Sequence, residues 1–421
     1  MHNTRPARIT SPLISLSQGY VKLVPLGLLV GAIGIGMAFL FSAAASGGYR
    51  RFSFAYLTNF SFLLSISLGC LFFVIVQHLT KAAWGVTVRR IAEIFAMCTL
   101  PLAVLFLPIL IPVVRGSTDL YPWNVANWAR DNSPLLQVKF DYLKWYWFAA
   151  RWAAYFAIWG FFAWNFLGKS LKQDETGDTK LTLKMQASST WMMIIFAATL
   201  VFASFDLEMS LSPLWFSTMF PVYFFAGGVL GGLAAMTLTA LLLQRSGRIT
   251  DEITVDQYHD LAKLMFGFTF FWGYIAFSQF LLIWYANIPE ETFWYRFRFW
   301  DAAWAKASWA LLIFHLIIPF LGLMARTVRR NKTYLLFATI YLLCIHWYDH
   351  FWIVMPQYGS GIHGEPIDGA GGFPFSWAID FPCAIGMVGL YVALFAWIAG
   401  DRPLVPKQDP RLGESLNHVN P

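Results

Sequence analysis

The segment HWYDHFW, residues 346–352, combines residue types and a spacing that indicate chemistry. His346, Asp349 and His350 are three and four positions apart, so a helix places them on one face. Imidazole and carboxylate groups in this arrangement can relay protons, line a quinone or haem pocket, bind a metal ion or form a paired polar core. The surroundings of the helix decide among these alternatives.

Metal and haem chemistry are the less favoured alternatives for this segment. A zinc hydrolase helix reads HExxH and requires a third ligand and a carboxylate base, whereas here the acid stands at the fourth position. Bis-histidine haem b requires histidines on two facing helices, and His315 with His346 is the pair that fits. The four cysteines lie in apolar runs without a CxxC pair, and no nucleotide fingerprint or phosphate loop is present. We therefore expect no metal.

The composition indicates a polytopic membrane protein. Of 421 residues, 58% are hydrophobic and 13% are charged, with a mean hydropathy of +0.55. Soluble domains carry about 25% charged residues. Ten apolar runs are each about long enough to cross a hydrocarbon core of ~30 Å, and helices are expected because lipid leaves a bare backbone unsatisfied. The runs are centred on residues 22–45, 55–79, 88–114, 146–168, 186–205, 215–244, 261–286, 303–325, 333–355 and 383–399.

Arginine and lysine are distributed unevenly among the connections between these runs. The N-terminus, the even-numbered loops and the C-terminal tail carry 18 of them, and the odd-numbered loops carry 9. Because basic loops stay on the cytoplasmic side, both termini are predicted to be cytoplasmic. The basic residues are spread over many loops, so we expect no nucleic-acid partner. The odd loops are rich in aromatic residues, which suits a membrane interface or a docking surface.

We predict one polytopic membrane domain over residues 1–421, with cytoplasmic segments at 1–20 and 400–421. The first apolar run starts late and is too long for a secretory signal, so we expect it to be retained. The polar, proline-containing tail is expected to be loose or to lie along a partner. Residues 226–236, AGGVLGGLAAM, repeat glycine at four-residue spacing, which predicts close contact with a neighbouring helix.

Ionisable side chains within the runs are further candidates, because lipid tolerates them only where they face the interior of a bundle. Proton transfer requires such groups, or waters, at successive depths. Glu93 and Lys263 also fit a structural role, since both lie near the interface and can pair or snorkel. His78 fits a capping role, and Asp206 fits an N-cap before the next run. The proton-path candidates, ordered from the inner to the outer side, are His78, Glu93, Lys263, His315, Asp206, His346, Asp349 and His350.

Four segments together resemble a known family. They are WGVTVRRIAE at 84–93, FDLEMSLSPLWFSTMFPVYFFAGG at 205–228, DLAKLMFGFTFFWGYIAFSQFLLIWYANIPEE at 260–291 and HWYDHFWIVMPQ at 346–357. They resemble the NrfD/polysulfide-reductase-type membrane subunits of bacterial alternative complex III, a quinol:cytochrome c oxidoreductase. The likeness covers nearly the whole chain. The length is more similar to the second, shorter of the two ten-span subunits in that complex.

The resemblance implies an all-α fold with two four-helix bundles and two peripheral helices in the bacterial inner membrane. It implies no redox cofactor in this chain, with haem c and iron–sulfur clusters in partner subunits. The implied partners are a paralogous ten-span subunit, an iron–sulfur subunit, haem c subunits and a terminal oxidase. Leu207 stands where the family pattern has Trp, and Pro221 where it has Gly. Because this stretch lies beside the quinol pocket of the first subunit, the departure weighs against quinol oxidation here.

The expected role is a membrane scaffold and proton-conducting subunit of such a complex. The alternative is a quinone site on the outer side, in which Asp206 and His346 bind the quinone oxygens between Trp215 and Trp352. A secondary transporter would show broken helices at mid-membrane and an inverted repeat, and neither is evident in the sequence. A haem b protein remains the other less favoured alternative.

Overall fold

The computed structural model describes residues 15–16, 19–45, 48–124, 134–300, 302–359 and 375–420. Within these ranges the chain is helical and contains no strand, which confirms the predicted all-α class. Most of the predicted N-terminal segment 1–20 lies outside the described residues, as do most residues of the aromatic-rich loops at 121–132 and 358–377.

Seventeen α-helices, one π-helical segment and short 3-10 turns make up the described part of the chain. The segments α3, α4 and α5 follow one another with single-residue breaks, and α12 continues through the π-helical segment into α13. The helices are α1 Tyr20–Ala44, α2 Tyr49–Leu79, α3 Val86–Met97, α4 Thr99–Leu105, α5 Leu107–Val114, α6 Pro134–Leu143, α7 Trp145–Thr176, α8 Lys180–Leu207, α9 Phe220–Arg245, α10 Val255–Ala286, α11 Pro289–Trp300, α12 Ala302–Leu311, the π-helical segment Leu312–Ile317, α13 Ile318–Met324, α14 Arg326–Arg329, α15 Lys332–Val354, α16 Asp380–Ala399 and α17 Leu412–Leu416.

Eight helical segments are long and apolar enough to cross a membrane, so the chain is a multi-pass membrane protein. They comprise α1, α2, α3–α5, α8, α9, α10, α12–α13 and α16. The other two predicted runs correspond to α7 and α15, which have 32 and 23 residues. At 1.5 Å per residue both are longer than a hydrocarbon core of ~30 Å. They carry more polar and amphipathic side chains, including the histidines of α15.

The helix α2 is the central element of the protein. Its residues from Phe54 onward are almost all buried, and it contacts α3, α8, α9, α15 and α16. The contact with α9 is closest at Gly69, where a Cβ atom would overlap the backbone carbonyl of Gly228. Gly232 lies one turn further along α9, against the backbone of Cys70. The predicted close approach of two helices at the glycine motif is therefore confirmed.

The second pair of glycines in the motif faces a different helix. A Cβ atom at Gly231 would lie 2.5 Å from Cδ2 of His346, and one at Gly227 would lie 3.1 Å from its Cε1. The two glycine registers thus bring α9 close to α2 on one side and to the imidazole of α15 on the other. This arrangement positions the histidines described below.

The helices α1 and α16 pack against each other at the edge of the protein. Gly27 and Gly34 of α1 lie directly against the backbone of α16, and Gly386 lies directly against the backbone of α1. Apart from α16, the principal neighbour of α1 is α2, and most side chains of α1 are exposed. The pair is therefore peripheral to the helices that surround α2.

The described ends of the chain lie at one end of the helices, which we call the terminal face. Arg248 donates from Nη1 to the carbonyl of Ser15 at 2.6 Å, and Ser415 donates from Oγ to the carbonyl of Trp84 at 2.8 Å. The tail buries Leu404, Val405 and Leu412, and its Asp409 pairs with an arginine of α3. This corrects the expectation of a loose or partner-bound tail, because its apolar and acidic residues find partners on its own chain.

Candidate functional site

The ionisable side chains of α15 lie on one buried face, as their spacing predicts. His346, Asp349 and His350 are each exposed by 2% or less, and His315 from the neighbouring π-helical segment is fully buried. All four face α2, α9 and α10 and not the lipid side. Together with Ser65 and Glu208 they form what we call the histidine cluster.

The hydroxyl of Ser65 in α2 joins the two histidines of α15. Its Oγ lies 2.9 Å from Nε2 of His346 and 3.2 Å from Nε2 of His350. The same Oγ donates its hydrogen to the carbonyl of Phe62 at 2.8 Å. Because a serine hydroxyl has one hydrogen and two lone pairs, both imidazoles donate to it through Nε2.

This assignment fixes where the remaining protons lie. The other nitrogen of His350, Nδ1, is 2.7 Å from Oε1 of Glu208, and both side chains are buried. A neutral imidazole has a single ring proton, and in His350 that proton is on Nε2. The hydrogen bond between Nδ1 and Glu208 therefore requires a second proton, which is carried either by the imidazole or by the carboxyl group. His350 and Glu208 therefore share a proton inside the protein. His346 is left with a lone pair on Nδ1, which has no partner among the described residues.

The carboxylate of Asp349 is held by two aromatic side chains. Tyr223 of α9 donates its hydroxyl to Oδ1, and Trp272 of α10 donates from Nε1 to Oδ2 at 3.1 Å. Both donors are buried. These two hydrogen bonds offset part of the cost of burying the carboxyl group.

His315 lies on a wide helical turn beside this carboxylate. Its segment Leu312–Ile317 is π-helical, a local geometry that occurs frequently at functional sites. Its imidazole packs against Trp272 at a tilt of 32°, with 3.8 Å between ring centroids, and neither ring nitrogen has a partner within the described ranges. One ligand atom from each of His315, His346 and Asp349 lies within 4.8 Å of the others.

Asp206 lies outside the histidine cluster. It accepts from Arg151 at 2.8 and 2.9 Å and from the hydroxyl of Tyr155 at 3.1 Å. Glu208, two residues later, is the carboxylate that reaches His350. Asp206 therefore fixes α8 to α7, and Glu208 takes the position in the cluster that the sequence suggested for Asp206.

The inner candidate Glu93 belongs to a closed ion network at the terminal face. Its carboxylate accepts from Nε of Arg89 at 3.2 Å and of Arg90 at 3.0 Å. These arginines also bind Asp409 of the tail at 2.6 Å and Asp174 of α7 at 2.7 Å. The network is buried and ties three parts of the chain together, so its geometry favours the structural interpretation of Glu93.

The other two inner candidates occupy different environments. Lys263 is 43% exposed and binds Asp260 at 3.2 Å, so it lies on the surface. His78 is buried and stacks on Phe166 with 5.2 Å between ring centroids. Thirteen residues of α2, or about 20 Å along the helix, separate His78 from Ser65. The inner and outer candidates therefore do not form a direct chain of hydrogen bonds.

A cavity of about 280 Å³ lies next to the cluster, between α9, α10, α11, α12 and α15. Tyr223 and Trp272 form part of its wall, and Trp352 and Trp294 form another part. Exposed side chains at its edge, including Phe277 and Trp309, indicate that it opens toward the lipid-facing surface.

The tryptophans proposed for a quinone site are placed around this cavity. Trp352 lines it and donates to Ser308 at 2.8 Å. Trp215 stacks on Trp294 with 4.4 Å between centroids, one layer behind the wall. Cζ of Arg298 lies 3.4 Å from the ring centroid of Trp294. Burial lowers the pKa of Arg298. Its guanidinium nevertheless remains charged.

No protein-family model matches the sequence, and comparison with curated proteins finds no match. The structure therefore defines the class: an all-helical, multi-pass membrane protein with a buried histidine–carboxylate cluster beside an aromatic cavity.

Sequence reasoning did not assign a role to Ser65, Glu208, Tyr223 or Trp272. The sequence carries a weak signal for Glu208, which is an ionisable residue at the end of an apolar run. Ser65 is one of several small polar residues in α2, and the tyrosine and tryptophan are two among many aromatic side chains. Their partners become apparent only when α2, α9 and α10 pack against α15.

Proposed function

We propose that this chain is an integral membrane subunit of a respiratory quinol:cytochrome c oxidoreductase of the alternative complex III type, in the bacterial inner membrane. Its role there is a scaffold and a proton-conducting element. The observation that carries the proton role is the buried chain Glu208–His350–Ser65–His346, in which each contact is within 3.2 Å. The resemblance of four sequence segments supports the assignment to this complex.

The same proposal extends the membrane topology. We infer that α7 and α15 also cross the membrane, which gives ten spans with both termini in the cytoplasm. The observed contacts support two groups of four spans: α2, α3–α5, α7 and α8, and then α9, α10, α12–α13 and α15. The pair α1 and α16 supplies the two peripheral spans. The basic residues of the terminal face support its placement in the cytoplasm.

The cluster is arranged to move one proton at a time. A proton that reaches Nδ1 of His346 allows this imidazole to pass its Nε2 proton to Oγ of Ser65. The serine turns from the carbonyl of Phe62 and passes its own hydroxyl proton to Nε2 of His350, which at that moment carries its proton on Nδ1 alone. That Nδ1 proton moves to Glu208 and leaves from there, and both imidazoles must change tautomer before the next proton moves. On the terminal side, the 20 Å between Ser65 and His78 requires waters along α2.

The test is the number of protons moved per electron in membrane vesicles that contain the assembled complex. Glu208→Gln removes the proton-sharing carboxylate and is expected to lower this ratio while quinol oxidation continues. Glu290→Gln is the matched control, because it makes the same substitution at an exposed carboxylate outside the cluster. An unchanged ratio in the Glu208→Gln complex, with the subunit assembled, rules out the proton role.

A second candidate function is a quinone site in the aromatic cavity, favoured by one specific observation. Tyr223 both lines the cavity and hydrogen-bonds Asp349, so a quinone oxygen in the cavity would be one hydroxyl away from a buried carboxylate. Ala276→Phe fills the cavity and is expected to abolish quenching of tryptophan fluorescence by decylubiquinone. Ala338→Phe, in a separate groove between α13 and α15, is the control. Equal quenching in both variants would exclude this site.

A further inference from the structure

A small site between α9, α15 and the π-helical segment is unexplained by the relay described above. It is bounded by His315, His346 and Asp349, and all three side chains are buried. Nδ1 of His346 and Oδ2 of Asp349 both lie next to Gly227. Both nitrogens of His315 and Nδ1 of His346 have no hydrogen-bond partner in the part of the chain that the structure describes. Buried polar atoms of this kind are rarely left unsatisfied, because each costs about 1–3 kcal/mol.

The backbone of α9 keeps side-chain atoms away from this site. At Gly227 a Cβ atom would lie 3.4 Å from Nδ1 of His346 and 3.5 Å from Oδ2 of Asp349. It would also lie 3.1 Å from Cε1 of the same imidazole, which is closer than side chains normally pack. The glycine therefore leaves both acceptor atoms open to a small ligand.

The available lone pairs define the chemistry of that ligand. Nδ1 of His346 presents a lone pair, because its Nε2 donates to Ser65. Oδ2 of Asp349 accepts one hydrogen bond from Trp272 and retains further accepting capacity. A neutral His315 offers one N–H group and one lone pair. The ligand must therefore donate to two acceptors and accept from one donor, which is the hydrogen-bonding pattern of water.

We propose that this site binds one water molecule, which accepts from His315 and donates to His346 and Asp349. One ligand atom from each of the three side chains lies within 4.8 Å of the others, which leaves room for one oxygen atom at hydrogen-bond distance from all three. The same limit also admits a metal ion, so the metal content of the purified protein is measured in the test below.

The bound water extends the proposed relay to a second helix, and this consequence rests on the proposed function. When His315 carries a second proton, it passes one to the water, and the water simultaneously passes one of its own protons to Nδ1 of His346. His315 thereby becomes neutral and His346 becomes cationic. The water is thereby regenerated, and the net change is one proton moved from the π-helical segment to α15. His315, which has no direct contact with the serine-linked histidines, becomes part of the same path.

Infrared spectroscopy of the full-length protein in lipid tests the water directly. Difference spectra after a pH jump are recorded in H₂¹⁶O and in H₂¹⁸O. The wild-type protein is expected to show one O–H stretching band that shifts to lower frequency in H₂¹⁸O. Gly227→Ala is expected to lose this band, and Gly267→Ala is the control because a Cβ atom there meets nothing within 4 Å. His315→Leu, which leaves the backbone of α9 unchanged, is also expected to lose it.

The outcomes separate this inference from the proposed function. A wild-type spectrum without the band, or an unchanged band in both Gly227→Ala and His315→Leu, overturns the water site whatever the proton flux is. Stoichiometric zinc or copper in the purified protein, lost in His315→Leu, overturns it in favour of a metal. If the band behaves as expected but the Glu208→Gln complex moves protons normally, the water site stands and the proton-conducting role fails.

Discussion

The hydrogen bond between Glu208 and His350 is the contact whose removal is most informative. The two atoms are 2.7 Å apart, and the side chains are exposed by 0% and 2%. Removing one partner of such a buried pair typically costs about 3–5 kcal/mol, because the other partner stays buried without compensation. We therefore expect Glu208→Gln to lower the free energy of unfolding by about 3 kcal/mol, and His350→Gln to lower it by a similar amount.

The double variant separates this contact from the general loss of packing. A charge-assisted hydrogen bond contributes about 1.5–3 kcal/mol, so the combined cost should fall short of the sum of the single costs by that amount. The measurement is a double-mutant cycle, with unfolding in mixed micelles followed by the tryptophan signal. The pair Lys144 and Asp141, whose side chains are exposed by 35% and 70%, is the matched control, and its coupling should be much smaller.

The result that would refute the reasoning is additivity. If the two single costs add to within about 0.5 kcal/mol, Glu208 and His350 act independently and do not share a proton. In that case the proton count around Ser65 would also be wrong, because it requires a proton between the imidazole and the carboxyl group.

Three further predictions concern other parts of the molecule. Gly69→Ala should lower the free energy of unfolding by about 1–3 kcal/mol, because the new Cβ atom forces α2 away from α9. Gly36→Ala is the control and should cost little, because its Cβ atom meets nothing within 4 Å. Thermal unfolding of both variants measures the difference. Burial lowers the pKa of Lys139 to about 8, so between pH 8 and pH 10.5 the folded state binds fewer protons than the unfolded state. The free energy of unfolding should therefore rise over this range. Lys139→Met should flatten the rise, and unfolding midpoints measured in a pH series test this. Asp409→Asn should release the tail from α3, because it weakens the 2.6 Å ion pair between Asp409 and Arg89. The expected result is faster proteolysis of the tail while the helices stay intact.

The sequence determined the class of the fold and one face of the site. Apolar runs of about 20 residues have few structural solutions in lipid, since only a helix satisfies its own backbone there. The spacing of His346, Asp349 and His350 places them together on any helix, because 3.6 residues make one turn. The glycines at 227–232 likewise indicated a close helix contact before any partner was known. These features depend on local periodicity, which a sequence shows directly.

The choice of partners was decided by the tertiary structure. Asp206 lies in the last turn of α8 and Glu208 lies just beyond its end, so helix periodicity does not decide which of them faces His350 and packing selects it. Glu93 is neutralised by arginines whose other partners, Asp174 and Asp409, come from distant parts of the chain. A hydrogen bond extends over about 3 Å, whereas periodicity defines only a direction around a helix axis. The site therefore depends on how the helices pack.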